Sequence, residues 1–405
     1  MKPIKTRPLC SLLLASLLCL AAAESPASVV DRNGVALRDG TLSIAASLAG
    51  EDTRLSIDEG LQKIVEEELS QIQPALQAKK IIVILADPKT GEILAMACRP
   101  EPSRGKPQAE QAGLPTQSGT SIQTGEPKVT RRPASQALLF LYEPSSIFKM
   151  VACAGFLKEG HGDEKIFCEN GAWAFEGETI RDHKPYGDLT PLEVLVKSSN
   201  IGSAKMALKL GKEKFRETAV GFGFGRKTGI ALFDESPGIL YPVEKLDDLR
   251  LARMGMGQSA AVTPIQVLMA YSAIANGGAL LPPTLVLDPK APLPKGVRIL
   301  PEAIAGAISK ALMVDDMWQL GRVEGLSVAG KAGTSQATTP DGYAEGQWVT
   351  SFVGYFPAEN PKVIALVVVD QAHVVPELNY GGLTAAPIFS RIATKAAAHL
   401  HITNP

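Results

Sequence analysis

The chain has 405 residues, a formal net charge of −1, 45% hydrophobic residues and 20% charged residues. That length accommodates one large domain with an accessory segment, or two domains. The balanced charge gives no support to nucleic-acid binding or to any polyanionic partner, and the hydrophobic share is that of a globular protein with a sizeable core.

Residues 1–23 read as an export signal. Lys2, Lys5 and Arg7 form a basic start, an apolar run follows from Leu9 to Ala23, and Ala21-Ala22-Ala23 offers a small-residue cleavage site. As a helix the run spans roughly 22 Å, short of the roughly 30 Å hydrocarbon core, so a cleaved signal is favoured over a retained anchor. Cys19 suggests a lipoprotein, but Leu18 stands before it where a small residue is expected. The rest of the chain is expected outside the cytoplasmic membrane. Cys98, Cys153 and Cys168 remain after the signal, an odd number without C-x-x-C spacing, which argues against a metal site and for buried thiols.

Residues 24–54 form a short N-terminal segment, weakly patterned over 39–53. Residues 81–86 and 93–98, joined by Pro88-Lys89-Thr90-Gly91, predict a β-hairpin. Residues 99–132 are rich in Pro, Gln, Gly, Ser and Thr and predict a solvated loop. A helix is expected from near Pro144 to Gly160. Thr190-Pro191-Leu192-Glu193 and Thr263-Pro264-Ile265-Gln266 are capping boxes with proline at the first helical position, and the second helix stops at Gly277-Gly278. Residues 327–334, 350–356 and 363–370 predict three more strands. Residues 338–347 read as a turn-rich connection, and a last helix fills 385–401. Strands at both ends and helices between predict an α+β fold: an antiparallel β-sheet with flanking helices and an inserted helical lobe.

Three short patterns carry chemistry. In Ser146-Ile147-Phe148-Lys149 the serine and lysine are three apart at a helix start, so they share a face. A serine hydroxyl needs a base to become a nucleophile, and a lysine buried among apolar neighbours can be that base. Taken singly, a helix cap and a surface lysine are the ordinary explanation. Ser103-Arg104-Gly105-Lys106 repeats the spacing but sits in the polar loop. Ser198-Ser199-Asn200 follows the Thr190-capped helix, where a turn presents side chains: Ser198 as a proton relay, Asn200 as donor and acceptor. In Lys331-Ala332-Gly333-Thr334-Ser335 a lysine interrupts a strand-like run. Gly333 allows close backbone approach, and Thr334 adds a hydroxyl and a main-chain N–H. An edge-strand lysine that discourages aggregation would also account for Lys331.

Together and in this order, S-x-x-K, S-x-N and K-x-G resemble the signature set of penicillin-binding proteins and serine β-lactamases. The chain is similar to the transpeptidase domain of class B penicillin-binding proteins over residues 55–405. The likeness extends to Asp31-Arg32-Asn33-Gly34, Leu55-Ser56-Ile57-Asp58, the stretch from Asp87 to Met96, Gly223-Phe224-Gly225, Glu235-Ser236-Pro237-Gly238, Gly255-Met256-Gly257-Gln258 and Tyr380-Gly381-Gly382. The resemblance implies acylation of Ser146 by a D-Ala-D-Ala donor, with Lys149 as base, Ser198 as relay and Asn200 holding the donor amide. It implies that Lys331 and Thr334 hold the terminal carboxylate, that Gly333 and Ser335 line the substrate strand, and that the N–H groups of Ser146 and Thr334 form an oxyanion hole. No metal or cofactor is required. The implied partners are peptidoglycan stem peptides, β-lactams and a membrane glycosyltransferase of cell-wall synthesis, with roles in cell shape or division.

Three departures stand out. Ala332 replaces the hydroxyl residue expected beside the carboxylate site, Ser145 replaces the glycine expected before the nucleophile, and only residues 39–53 stand where the family inserts a large pedestal. A β-lactamase or D,D-carboxypeptidase of the same fold and a non-catalytic β-lactam-binding module remain open. Gly255-Met256-Gly257-Gln258-Ser259-Ala260 matches a dinucleotide fingerprint without the preceding apolar strand, and no G-x-S-x-G elbow is present.

Overall fold

A computed structural model describes residues 29–35, 53–100, 136–231, 235–288, 290, 292, 294–313, 320–339 and 342–404. The expected export signal lies outside them, as do nearly all of the polar stretch 99–132 and its Ser103 motif. Among the described residues no helix is long and apolar enough to cross a membrane.

Helix α1 (Glu59–Leu76) opens the domain, capped by Asp58, whose side chain accepts from the Leu61 N–H. Strands β1 (Lys80–Ala86) and β2 (Ile93–Arg99) form the expected hairpin. The helical lobe follows. It contains α2 (Lys149–Lys158), α3 (Pro191–Val196), α4 (Asn200–Gly221), α5 (Asp248–Met256) and α6 (Pro264–Ala275). Both capping boxes are formed, at Thr190 and at Thr263. The chain then returns to the sheet through β3 (Ala329–Thr339), β4 (Gly342–Phe356) and β5 (Val363–Asp370), and ends in α7 (Gly381–His399). Residues 338–347, read as a turn-rich connection, instead belong mostly to β3 and β4. The alternation of threonine, tyrosine and small residues there continues the hairpin ladder, with Thr339 paired to Gly342.

The sheet order is β3-β4-β5-β1-β2, antiparallel throughout, so early and late strands meet at β1 and β5. Both faces are buried. Ile81, Val83 and Leu85 join the core beneath α1 and α7, whereas Ile82, Ile84 and Ala86 join the core of the helical lobe. Period-two alternation sends successive residues of one apolar strand into different cores, which is why the β1 sequence shows no polar face.

The N-terminal segment is fastened to this body. Val29–Val30 pairs with Thr53–Leu55, which pairs in turn with Val286–Leu287. Asp31 accepts from the N–H groups of Asn33, Val35 and Glu59, Asn33 donates to Asp58, and Arg32 pairs with Glu92 at 3.1 Å. The strand Thr53–Leu55 thus crosses the expected boundary at residue 54. No disulfide joins Cys98, Cys153 and Cys168, and Cys153 and Cys168 are buried.

Candidate active site

Ser146 sits in a 3-10 turn, Ser145–Ile147, with the α-helix proper starting at Lys149. Residues three apart in a 3-10 turn eclipse, so the turn carries Ser146 onto the Lys149 side of the helix start. The turn is held from several directions. The Ser145 N–H donates to Gly257 O at 2.8 Å, Tyr271 Oη donates to Ile147 O at 2.8 Å, and the Phe148 ring lies 4.8 Å from that of Phe224. A Cβ on Gly257 would stand 1.9 Å from Ser145 O. The glycine pattern at 255–257 therefore seats the Ser145–Ile147 turn, which explains the motif without a nucleotide.

Ser145, the departure from the family's glycine, has φ 51. That left-handed conformation favours glycine and costs a side chain about 1 kcal/mol. The Ser145 hydroxyl offsets this by donating to Thr334 O at 2.6 Å, tying the turn to β3. In a strand a residue's C=O and N–H leave on the same side, so the Thr334 N–H also points toward the turn.

Ser198 lies between α3 and α4 with φ 58, and Ser199 caps α4. The two lysines converge on Ser198. Lys149 Nζ donates to Ser198 O at 2.5 Å, Ser198 Oγ at 3.2 Å and Asn200 Oδ1 at 2.7 Å. Lys331 Nζ donates to the same Ser198 Oγ at 3.1 Å. Both lysines are 1% exposed, so Lys331 is no surface guard of a sheet edge. Burial holds the Lys149 ammonium well below the usual lysine range, and the Lys331 charge adds to this while Asp182 opposes it. Burial brings Lys331 down to about 7. A neutral lysine beside a serine is a competent proton acceptor.

The remaining expected residues, Gly333, Thr334 and Ser335, lie on β3 beside Lys331. A Cβ on Gly333 would lie 2.8 Å from Ser351 Oγ, 2.9 Å from Pro144 O and 3.2 Å from the Ile147 side chain. The glycine thus lets the Ser145–Ile147 turn pack closely on β3. Ser335 lies on the Lys331 face of β3, and its buried hydroxyl has no hydrogen-bond partner among the described residues. Ala332 and Thr334 share the other face. Ala332 is 4% exposed in the core beneath α7, and Thr334 Oγ1 accepts from the Gly381 N–H at 3.0 Å.

Asp182 was not singled out from the sequence. Its carboxylate accepts from Ser199 Oγ at 2.6 Å, Asn200 N at 2.5 Å and Ile201 N at 3.1 Å, at the positive end of α4. It follows the hairpin Ala172–Phe175 and Glu178–Arg181, and no local spacing marks it. Glu143 was also missed. It accepts from the Ser259 N–H and from Tyr343 Oη, and burial raises its carboxyl above the usual range.

A family model described as the penicillin binding protein transpeptidase domain matches residues 81–394. The chain belongs to this family. It is 32% identical over 371 residues to stage V sporulation protein D of Bacillus subtilis, covering 87% of this chain and 54% of that one. It is 28% identical over 369 residues to peptidoglycan D,D-transpeptidase FtsI of Escherichia coli, covering 89% and 58%. The chain thus spans little more than half the length of these curated relatives. Among solved structures, the transpeptidase domain of Burkholderia pseudomallei penicillin-binding protein 3 superposes with a TM-score of 0.73 at 26% identity, covering 87% of this chain and 97% of that one. Penicillin-binding protein 3 of Mycobacterium tuberculosis, complexed with aztreonam, shares the fold with a TM-score of 0.75 at 23% identity, covering 94% and 97%. The expected α+β architecture is that of these domains.

Proposed function

We propose that this transpeptidase-family chain is an exported serine D,D-transpeptidase that cross-links peptidoglycan stem peptides and is acylated by β-lactams. The observation that carries the reading is the shared Ser198 hydroxyl, bonded by Lys149 at 3.2 Å and by Lys331 at 3.1 Å. Neutral Lys149 takes the Ser146 proton as Oγ attacks the penultimate D-Ala carbonyl of the donor. The developing oxyanion is held by the N–H groups of Ser146 and Thr334. Lys149 returns the proton through Ser198 to the departing D-alanine nitrogen, leaving an acyl-enzyme. Asn200 fixes Lys149 and orients the donor amide, and Lys331 supplies positive charge near the terminal carboxylate. An acceptor amine on a second stem peptide then displaces Ser146. A membrane glycosyltransferase partner and a role in cell shape or division belong to the same reading.

The test is labelling with a fluorescent penicillin, followed by mapping of the adduct and timing of its loss. We expect a long-lived adduct on the peptide containing Ser146 and a roughly 10²-fold slower acylation in Ser198→Ala. Rapid label loss would make the protein a hydrolase, and an absence of label would make it a binding module.

A further inference from the structure

An acceptor amine arrives as an ammonium at neutral pH, and two protons must leave its nitrogen before the new amide is complete. The second departs during attack and can pass through Ser198 and Lys149 to Ser146 Oγ as the acyl bond breaks. The first must be removed beforehand, and the acylating residues leave that step unassigned.

The segment from Arg181 to Tyr186 wraps the turn that carries Ser198 and Asn200. Asn200 Nδ2 donates to Arg181 O at 2.8 Å, and Asp182 holds Ser199 and the start of α4. His183 comes next and is exposed. Its Nε2 lies 3.1 Å from Tyr186 Oη, with the rings nearly perpendicular at 78°. Tyr186 Oη in turn donates to Lys197 O at 3.3 Å. With that proton committed, the phenol oxygen offers a lone pair, so His183 carries its hydrogen on Nε2 and leaves Nδ1 as a bare acceptor. The other described histidines sit elsewhere: His161 pairs with Glu164, His399 with Asp58, His373 is tied to Leu76 O through its backbone N–H, and His401 follows α7.

We propose that His183, fixed in one tautomer by Tyr186, is the base that takes the first proton from the acceptor amine. This rests on the acyl-enzyme reading above. The ammonium gives one proton to His183 Nδ1 and becomes a neutral amine. The amine attacks the acyl carbon while its second proton follows Ser198 and Lys149 to Ser146 Oγ. His183 then releases its proton to water. The electrostatics keep the imidazole neutral and so free to accept a proton. Although the side chain reaches solvent, partial desolvation by its neighbours lowers its affinity for a proton below the usual histidine value, the Lys149, Lys184 and Lys331 charges lower it further, and Asp182 opposes them. Burial also raises the Tyr186 phenol, keeping it protonated.

The experiment uses a thioester of an acyl-D-alanine analogue as donor and D-alanine as acceptor amine, and measures the ratio of aminolysis to hydrolysis from pH 6 to 9. For His183→Gln we expect that ratio to fall on the order of 10²-fold near pH 6.5, with the deficit shrinking as pH rises and the amine deprotonates by itself. Tyr186→Phe, which frees the tautomer, should show a smaller fall in the same direction. An unchanged ratio in His183→Gln, or a deficit that does not vary with pH, would overturn the proposal while penicillin labelling of Ser146 left the transpeptidase reading standing. Failure of the wild-type protein to form any acyl-enzyme would overturn both.

Discussion

Ser198 Oγ receives two lysine nitrogens at nearly equal distance, and the arrangement sets a cost at the scale of single residues. Lys331 titrates at about 7 in the fold and near 10.5 in the free chain. Between those values the unfolded chain binds a proton that the folded one does not, so stability rises as pH climbs from about 7 to 10.5. Below about 7 the deficit is complete. Lys331→Met should therefore raise unfolding stability by about 1–3 kcal/mol at pH 7, with the gain vanishing above pH 10.5, while acylation collapses. Denaturant titrations of both proteins across pH, set beside acylation rates, check both halves. Lys149→Arg should lose acylation entirely at every pH, because a guanidinium cannot become a base. Ala332 leads to a different outcome from the one its family resemblance implies. Its side chain faces the core beneath α7, so Ala332→Thr should cost about 1–3 kcal/mol of stability by burying a hydroxyl among apolar groups, without accelerating acylation. Faster acylation by penicillin in that variant would show that the 332 side chain meets the substrate.

Between elements, the decisive joint is the one where α3 ends, Ser198 turns, and α4 begins under Asp182. Removing that carboxylate leaves Ser199 Oγ and two helix-terminal N–H groups without their acceptor. Asp182→Ala should lose about 1–2 kcal/mol of stability, and acylation should fall by about tenfold or more as Asn200 loosens its hold on Lys149. It should also move the acid limb of the acylation pH profile downward, since Asp182 raises the Lys149 pKa; a lower plateau with an unmoved limb would mean that Asp182 acts on geometry alone. The same joint shows what a sequence can and cannot reveal. Ser146 with Lys149, and Ser198 with Asn200, are local spacings, and the capping boxes at Thr190 and Thr263 announce their helices. Lys331 was legible because a cation in an apolar strand is conspicuous. Asp182 stands 18 residues before Asn200 with an intervening capped helix, so only folding brings it to the turn. The faces of β3 could not be read from the sequence for a related reason. A strand buried on both sides has no polar face to set its phase, and the phase decides that Ser335 and Lys331 point one way and Ala332 and Thr334 the other.

At the scale of the whole molecule, α1 and α7 close one face of the sheet as a pair. Glu68 of α1 is buried and meets Lys395 at 2.5 Å and Arg391 at 2.8 Å, the latter as an ionic contact rather than a well-aligned hydrogen bond. Both cations are about half exposed, so water screens the pair and its worth is modest. Glu68→Ala should cost about 1–3 kcal/mol in equilibrium unfolding, because two cations then crowd an empty seam. Acylation measured well below the melting temperature should stay within about threefold of normal, since Lys395 lies 14 residues along α7 from Gly381, roughly 20 Å from the end that touches Thr334. A tenfold loss would mean that α7 transmits strain along its length to the site.

Strand β3 ends the sheet, and its outer side is where Thr334 meets the Ser145–Ile147 turn. An open strand edge invites another chain to pair with it. Under the proposed function, the edge that would receive a donor peptide is thus also a surface open to self-association when vacant. An acyl group covalently held at Ser146 occupies that edge, so penicillin-labelled protein should melt at a higher temperature and remain monodisperse at concentrations where the unlabelled protein begins to associate. Occupancy of the site would then serve as protection in solution as well as a step in chemistry.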